Sequence, residues 1–427
     1  MNKKFDLLIG NKKLSFLLPE KNLIKVLEPK ELSSLDGKKA IKQALEKPIG
    51  TARLSKIVNR GEKVAIVVSD ITRLWVRSNV FLPFILKELN KGGIPDKDMF
   101  IVLGNGVHRD QTPEEIKLIV GKEVYSRIRV YNHHCKNKNE FTYLGKTTYG
   151  TPVWLNRLVV EADRIVLTGG IVYHFLSGWS GGKKAVLPGI ASFDCIMANH
   201  RLGLYPEEGK GLNPDVCAGK MKSNPVSVDA IQAANFLKPD FILNVVLNTE
   251  QRFGKIVAGD MIKAHETGCR IVEEYFGVEI KEKADLVIIS CGGYPRDINF
   301  YQSYKTLYNA DGAVRKGGVV ILVAECREGI GDDNFYRIFT DFEDNVEREK
   351  FLRENYEIGR HMGFHTALMA ADHSIIVISE LPEEIIKNMN MIPAENMDKA
   401  LNIAYHKLGN NPQACIMPHG SITFPNL

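Results

Sequence analysis

The sequence predicts an α/β protein of two domains with mostly parallel sheets, and three observations support this prediction. The chain has 427 residues, which exceeds the size at which a single hydrophobic core usually stops growing. Apolar runs of strand length alternate with helical patterns, as they do in parallel βαβ units. The composition, 44% hydrophobic and 25% charged, is ordinary for a soluble globular protein.

The individual elements follow from these alternating patterns. The predicted strands cover residues 64–68, 100–103, 165–167, 241–247, 286–289, 319–323 and 375–378. The predicted helices cover residues 79–91, 113–120, 192–201, 226–236, 260–276, 299–314 and 394–408. One helix start is especially clear, because Thr112 is a good capping residue and Pro113 suits the first helical position.

A charged stretch, Val278–Asp285, precedes the predicted strand 286–289 and marks the best domain boundary. We therefore expect a larger cofactor-binding domain over residues 1–278 and a smaller, substrate-closing domain over residues 284–407. Residues 408–427 are candidates to return to the first domain and complete it. We expect the active site in the cleft between the domains, at the carboxyl ends of the strands.

Charge and cysteine content exclude several classes of protein. The net charge of +5 is spread along the chain, which argues against nucleic-acid or membrane-surface partners. The seven cysteines are scattered without a CxxC pair, which argues against a disulfide framework and a thiolate zinc site. Neither a signal peptide nor an apolar run of membrane-spanning length is found. We expect a cytoplasmic enzyme.

Polar residues follow several of the predicted strands. Asp70, His108 and His174 each lie just beyond the end of an apolar strand, at the edge where open parallel sheets bind ligands. After strand 286–289 a glycine-rich loop leads into a helix that carries Gln302 and Lys305, which share a helix face at this spacing. These loops are expected to converge on one site.

Two of these loops have plain structural explanations as well. The stretch Ser69–Arg73 suits a phosphate held by free backbone N–H groups and an arginine, or else a helix cap with a surface arginine. The stretch Gly104–Arg109 begins like a dinucleotide fingerprint, but Arg109 stands where the third glycine belongs. Its glycines more simply allow a tight turn that presents His108.

The lysine loop Gly178–Lys184 resembles a phosphate-binding P-loop but fails as one. Only three residues separate Gly178 from Gly182–Lys183, and Lys184 replaces the serine or threonine that would bind magnesium. Adjacent cations disfavour the ammonium form, so a lowered lysine pKa is expected here. An uncharged amine is a better nucleophile or covalent anchor.

The histidines are ambiguous when each is taken alone. His200 follows Ser192 on a predicted helix, and its imidazole suits nickel, copper or zinc, although taken alone a capping or core role is the stronger interpretation. The pair His133–His134 reads mainly as structural. His361 and His365 have the i, i+4 spacing of a metal pair, but Gly363 between them weakens the predicted helix.

Taken together, these motifs resemble the lactate racemase family, whose members use a nickel-pincer cofactor. The matching segments run in order over roughly residues 45–310: Asp70–Arg73, Gly106–Arg109, His174 with Ser180–Lys184, His200, Gly292–Asn299 and Tyr301–Lys305. The combination of the lysine loop with the Gly-Gly-Tyr-Pro segment is the most specific part of the match.

The resemblance implies a particular cofactor and its ligands. This is the nickel complex of pyridinium-3-thioamide-5-thiocarboxylic acid mononucleotide, attached through a thioamide to Lys184. His200 would be the only protein ligand of nickel, because the cofactor supplies the others. Asp70, Thr72 and Arg73 would help to seat the mononucleotide. Cofactor-maturation enzymes are then expected partners.

The resemblance also implies racemisation or epimerisation of a 2-hydroxy acid, lactate or a relative, by reversible proton-coupled hydride transfer through a 2-keto acid. His108 and His174 would act as bases for the two enantiomers. Gln302 and Lys305 would bind the substrate carboxylate or order the site on closure.

Two departures from the family pattern leave an alternative. Trp75 stands where proline is common, and Trp179 lies inside the lysine loop. They motivate a second hypothesis, a catalytically silent cofactor carrier or ligand sensor of the same fold. A zinc hydrolase using His174 and His200 is a third, but the sequence offers no obvious carboxylate base beside them.

Overall fold

A computed structural model describes residues 1–426 of the chain. The strands are β1 (Asn2–Ile9), β2 (Lys12–Pro19), β3 (Leu23–Val26), β4 (Val64–Ser69), β5 (Met99–Gly104), β6 (Arg129–Asn132), β7 (Phe141–Lys146), β8 (Pro152–Asn156), β9 (Arg164–Gly170), β10 (Tyr173–His174), β11 (Gly178–Trp179), β12 (Phe241–Leu247), β13 (Phe253–Gly259), β14 (Gly277–Glu279), β15 (Ala284–Ser290), β16 (Val314–Val323), β17 (Ser374–Ile378), β18 (Ile392–Pro393), β19 (Ala414–Met417) and β20 (Phe424–Asn426).

The helices alternate with these strands over most of the chain. They are α1 (Gly37–Glu46), α2 (Leu54–Ile57), α3 (Ser78–Lys91), α4 (Pro113–Val120), α5 (Lys122–Arg127), α6 (Arg157–Val160), α7 (Phe193–Arg201), α8 (Pro225–Leu237), α9 (Met261–Phe276), α10 (Phe300–Ala313), α11 (Asp333–Thr340), α12 (Asn345–Glu354), α13 (Ile358–Asp372), α14 (Glu383–Asn388) and α15 (Met397–Leu408). No helix within residues 1–426 is both long enough and apolar enough to cross a membrane.

The chain divides into two compact units, and neither is continuous in sequence. The large unit contains Glu31–Leu204 and Asn213–Glu274. The small unit contains Met1–Lys30, Tyr205–Leu212 and the chain from Tyr275 onward. Each unit has its own central sheet.

The large unit is built on a six-stranded sheet in the order β13-β12-β9-β4-β5-β6. All neighbours are parallel except β12 and β13. Residues Val64–Val68 of β4 are all buried, as expected for a central strand covered on both faces. Helix α3 buries Phe81, Ile85 and Leu89 in the same core.

The predicted start of α4 is confirmed in detail. The Thr112 hydroxyl accepts the backbone N–H of Glu115 at 3.3 Å, and the Glu115 carboxylate accepts the backbone N–H of Thr112 at 2.9 Å. This reciprocal pair is a capping box, which satisfies donors that an isolated helix end leaves unpaired. It fixes where the chain turns after the loop that carries His108.

The small unit has a fully parallel six-stranded sheet in the order β18-β17-β16-β15-β19-β3. Its core contains Leu286, Ile321 and Ile376 from the central strands. The antiparallel hairpin of β1 and β2 adds Leu7 and Phe16 to this core. Residues 1–30 are therefore part of the small unit.

The structure differs here from the domain boundaries that the sequence predicted. The first 30 residues do not belong with residues 31–278, because β3 pairs in parallel with β19. The predicted return of residues 408–427 to the large unit is not found for the described residues 408–426, since β19 also pairs with β15 in the small unit; residue 427 lies outside the described residues. The α/β class and the predominance of parallel strands are confirmed.

Candidate active site

Three neighbouring parallel strands of the large unit, β9, β4 and β5, present the predicted polar residues at one sheet edge. Asp70 follows β4 directly, while His108 and His174 lie in the loops after β5 and β9. The backbone N–H of Gly106 donates to the carbonyl of Gly189 at 3.0 Å. This bond ties the His108 loop to the segment that follows the lysine loop.

Asp70 and His108 form a buried carboxylate–imidazole pair. The side chain of Asp70 is fully buried, and one of its oxygens, Oδ2, is hydrogen-bonded to Nδ1 of His108. Burial raises the pKa of Asp70, but the hydrogen bond and charge of His108, with the charge of Arg73, bring it below its usual value. An ionised Asp70 keeps the ring proton of His108 on Nδ1 and leaves Nε2 to accept a proton.

Thr72 and Arg73 also contact Asp70. The Thr72 hydroxyl donates to Asp70 Oδ1 at 2.6 Å, and Arg73 Nη1 lies 3.5 Å from the same oxygen. Asp70 makes no side-chain capping bond to the short helical turn that follows it, so the helix-cap alternative is wrong for this residue. Its contact with His108 is a role that the sequence did not indicate.

The lysine loop brings His174 and Lys184 into direct contact. Strands β10 and β11 pair antiparallel with His174 opposite Gly178, and Nε2 of His174 lies 2.7 Å from Nζ of Lys184. Nδ1 of His174 accepts the backbone N–H groups of Leu176 at 3.2 Å and Ser177 at 3.3 Å. These backbone donors hold the ring at Nδ1 and leave Nε2 as the nitrogen that faces Lys184.

Buried polar contacts hold this loop in place. The Ser180 hydroxyl donates to the carbonyl of Gly170 at 2.7 Å, and the N–H of Gly182 donates to Asn244 at 2.9 Å. Gly178 has a positive φ of 71°, and a Cβ there would lie 1.8 Å from the carbonyl oxygen of Lys220. The tight approach requires glycine at this position.

The two adjacent lysines have different surroundings. Lys183 is 1% exposed, and its Nζ donates to the carbonyls of Ser177 at 3.3 Å and Trp179 at 3.5 Å. Burial lowers the pKa of Lys183 to about 8. The expected lowering of a lysine pKa is therefore found at Lys183, and burial causes it, not the neighbouring cation.

His200 is buried on α7 and is oriented by a chain of hydrogen bonds. The amide nitrogen of Asn199 donates to the Val226 carbonyl at 3.0 Å and to the Asp229 carboxylate at 2.8 Å. The amide oxygen of Asn199 therefore faces Nδ1 of His200 at 3.0 Å and accepts its proton. Burial, with the charge of Lys184, lowers the pKa of His200 to about 3, so its imidazole is neutral.

Asn199 and Asp229 were missed by the sequence analysis. Asp229 is completely buried and is the only charged residue in α8. A lone acid in an otherwise uncharged helix was the available signal, because a buried carboxylate requires partners. The structure supplies these partners as Asn199 and the Thr147 hydroxyl.

Gln302 and Lys305 lie on the first turns of α10 in the small unit. As their spacing predicted, they share a helix face, and Lys305 Nζ lies 3.0 Å from Gln302 Oε1. Asn299 caps this helix by accepting the backbone N–H of Gln302 at 2.9 Å. The pair offers an ammonium and an amide side by side.

The other histidines that the sequence analysis weighed, at positions 133, 134, 361 and 365, contact protein groups. Buried His133 contacts the carbonyl of Ala191 at 2.9 Å, and exposed His134 contacts Glu140 at 2.8 Å, in keeping with the structural interpretation. His361 and His365 both lie on α13. Their Nδ1 atoms contact the hydroxyls of Tyr356 at 3.2 Å and Tyr304 at 2.8 Å.

Both unusual tryptophans have packing roles. Trp179 is 3% exposed and stacks on Tyr173 with ring centroids 4.3 Å apart. Trp75 packs against the core of the large unit. Its indole ring also lies against Gly170, where an added Cβ would be 2.5 Å from the ring. Neither observation favours the carrier hypothesis that these residues motivated.

Comparison with known proteins places the chain in a family. The sequence profile of the lactate racemase N-terminal domain matches residues 9–211, and that of the lactate racemase C-terminal domain matches residues 279–423. The chain belongs to the lactate racemase family. It is 34% identical over 424 residues to a lactate racemase of Thermoanaerobacterium thermosaccharolyticum, with 96% of each chain covered. It is 31% identical to one of Lactiplantibacillus plantarum, with 91% of each covered.

Solved structures of similar proteins have the same fold. The lactate racemase apoprotein from T. thermosaccharolyticum superposes with a TM-score of 0.92 at 34% identity, and both chains are covered completely. A protein from Thermotoga maritima shares the fold, with a TM-score of 0.65 at 19% identity, over 92% of this chain and 100% of its own. As a lactate racemase family member, the chain is an enzyme of the isomerase class.

A metal site made of protein side chains alone is not present in the described part of the chain. Within residues 1–426, no group of three or more histidine, cysteine, aspartate or glutamate side chains could hold an ion. His200 provides one neutral imidazole and Lys184 one amine. These two groups fit a cofactor that carries its own metal ligands and needs one imidazole and one covalent anchor.

Proposed function

We propose that this lactate racemase family member interconverts the enantiomers or epimers of a 2-hydroxy acid, lactate or a close relative, through a 2-keto acid. The observation that carries the proposal is the pairing of two imidazoles with distinct partners at one sheet edge. His108 is held by Asp70, and His174 contacts Lys184. Two separately oriented bases suit a reaction whose two enantiomers present their hydroxyl protons in different directions.

The proposal includes the nickel-pincer nucleotide, which the chain's residues fit. When bound, this group would accept the hydride from the substrate α-carbon and return it. Lys184 would carry it covalently through a thioamide, and His200 would supply a neutral ring nitrogen to nickel. Arg73, whose side chain is 36% exposed, would contact the mononucleotide together with Thr72 and Asp70.

His108 would remove the hydroxyl proton from one enantiomer. Asp70 holds Nδ1–H and stabilises the imidazolium that forms when Nε2 takes the proton. Loss of hydride from the α-carbon then leaves a planar keto acid, and returning the hydride to the opposite face inverts the centre. His174, in its doubly protonated form, would give one proton to the new alkoxide from the ring nitrogen Nε2 that faces Lys184 and would return to the neutral imidazole.

Gln302 and Lys305 would bind the substrate carboxylate. The Lys305 ammonium supplies charge, and the neighbouring Gln302 amide supplies a directional donor. Both extend from a capped helix, so their spacing is set before substrate arrives. When the carboxylate is fixed, the position of the α-hydroxyl depends on the configuration of the substrate. The hydroxyl of one enantiomer would then contact one base, and that of the other enantiomer would contact the second base.

The proposal is tested with protein matured by the cofactor-assembly enzymes. Single enantiomers of a panel of 2-hydroxy acids are incubated with this protein, and both enantiomers are followed by chiral chromatography. We expect racemisation or epimerisation of at least one acid, and its loss in His108→Asn and His174→Asn variants that still carry the cofactor mass. Cofactor-loaded protein that inverts none of the panel would contradict the proposal and favour the silent carrier.

The hydrogen-bond chain behind His200 leads to a further prediction. Replacing Asn199 with leucine removes the acceptor of the Nδ1 proton and leaves that ring free to change tautomer. We expect nickel affinity to fall about 10- to 100-fold, the usual effect of losing a partner behind a metal ligand. Nickel retained after dialysis against a chelator measures this.

The matched control is Asn388→Leu, an exposed asparagine that contacts Tyr336. It should retain nickel like the unmodified protein. In the cofactor-free protein, nitrogen-15 spectra of the imidazoles report the tautomer of His200 directly. Unchanged nickel retention and an unchanged tautomer in Asn199→Leu would show that Asn199 does not position His200.

A further inference from the structure

In the described part of the chain, one guanidinium at the carboxyl ends of the small unit's strands has no protein partner. Arg296 belongs to the loop after β15, and His419 belongs to the loop after β19. We propose that Arg296 and His419 form a binding site for an oxyanion, a carboxylate or a phosphate group, at the carboxyl ends of these strands. This inference does not depend on the proposed reaction, which uses other residues.

The topology of the small unit favours a site at this position. Strands β15 and β19 are parallel neighbours, but they are distant in sequence. From β15 the sheet continues through β16, β17 and β18 on one side, while β19 and β3 lie on the other. Ligands of open parallel sheets bind at the carboxyl ends of the strands where the strand order reverses in this way.

Arg296 and His419 converge on one glycine. Gly292 has a positive φ of 89°, and a Cβ built there would lie 3.1 Å from Arg296 Nη1 and 3.4 Å from His419 Nδ1. Both nitrogens therefore lie near the backbone of Gly292, on the side where another residue would carry its side chain. A small anion could reach the guanidinium without meeting a protein side chain at residue 292.

Within residues 1–426 the guanidinium of Arg296 makes no ion pair within 4.0 Å and no hydrogen bond. Other arginines of the small unit are paired, Arg315 with Asp285 at 2.5 Å and Arg327 with Glu325 at 2.5 Å. Arg296 is nevertheless partly shielded from water, and this burial lowers its pKa. A shielded cation without a counter-ion costs free energy that a bound anion would offset.

His419 adds a second unsatisfied group. Its Nδ1 is buried and has no hydrogen-bond partner in the described chain. Burial and then the charge of Arg296 lower the pKa of His419, while Glu28 acts in the opposite direction. A neutral ring with its proton on Nδ1 can donate to an anion without adding a second charge.

The chemistry of the two groups selects the ligand class. A guanidinium offers a planar fork that matches the two oxygens of a carboxylate or a phosphate. Chloride, being monatomic, lacks the second acceptor atom that the parallel pair of hydrogen bonds needs. Carboxylates and phosphates share this recognition, so separate titrations must distinguish them.

The test uses the full cofactor-free chain and measures thermal unfolding. Sodium acetate or inorganic phosphate is titrated at constant ionic strength maintained with sodium chloride. We expect the melting temperature to rise and saturate with at least one of them, because ligand that binds the folded state alone stabilises it. If acetate binds more tightly than phosphate, the site is assigned to a carboxylic acid. If phosphate binds more tightly, the site is assigned to a phosphorylated ligand. No saturable response to either overturns the proposal.

Three variants locate the response. Arg296→Gln should melt higher than the unmodified protein without oxyanion, since the uncompensated charge is gone, and should bind at least tenfold more weakly. Arg296→Lys keeps the charge but loses the fork, so its response should also weaken. Arg315→Gln, which alters an exposed and paired arginine, should respond normally. A full response in Arg296→Gln, or failure of that variant to fold, would show that Arg296 is structural.

Discussion

Replacing Asp70 with asparagine is expected to reduce turnover by about 10²- to 10⁴-fold, the range attributed to positioned acid–base groups. Asparagine is uncharged and cannot stabilise the imidazolium of His108. Its amide nitrogen would donate to Nδ1 and so favour the tautomer with the proton on Nε2, which cannot accept the substrate proton there. The fold should survive, because the substitution keeps the shape of a fully buried side chain. Steady-state kinetics of the matured variant, with kcat and KM determined separately, measure the effect.

The mass of the bound cofactor separates two possible roles of Asp70. If Asp70 acts through His108, the variant should carry the cofactor and turn over slowly. If it mainly seats the mononucleotide, the adduct should be lost with the activity. Asp215→Asn is the control, since Asp215 is an exposed residue paired with Lys220 at 3.3 Å. A kcat close to that of the unmodified protein would contradict the role of Asp70 as the partner of His108.

Replacing Lys184 with alanine is expected to abolish both the covalent adduct and the activity. Without the amine at this position no thioamide can form, and His174 loses the group that contacts its Nε2. Intact-mass spectrometry of protein exposed to the maturation enzymes is the direct measurement. The matured variant should have the mass of the bare chain.

Lys183→Met is the matched control for the neighbouring lysine. Lys183 is buried against loop carbonyls, and methionine replaces its long side chain without a charge. The control should still acquire the cofactor mass. An adduct present in Lys184→Ala and absent in Lys183→Met would move the attachment point to Lys183.

Local patterns were sufficient to predict that three residues of the candidate site follow parallel strands at one end of the sheet. Asp70, His108 and His174 each follow an apolar run, and parallel strands place such positions at one edge. The helix face shared by Gln302 and Lys305 likewise follows from spacing alone. These features depend on periodicity, which is a property of neighbouring residues.

Contacts between distant residues could not be predicted in this way. Asp70 meets His108 across 38 residues, and Asn199 meets Asp229 across 30. Which way each side chain turns depends on packing that no local pattern records. The pairing of β3 with β19 could not be predicted for the same reason. The sequence of a short strand near the start of the chain does not indicate which sheet the strand joins.

The most direct test of the proposed reaction is racemisation carried out in deuterium oxide. In a hydride transfer, the α-hydrogen leaves and returns without entering solvent, and only the hydroxyl proton exchanges through His108 and His174. We therefore predict that the inverted product retains its original α-hydrogen, measured by mass spectrometry or proton NMR. Incorporation of solvent deuterium at the α-carbon in step with inversion would indicate proton abstraction from carbon and contradict the hydride mechanism.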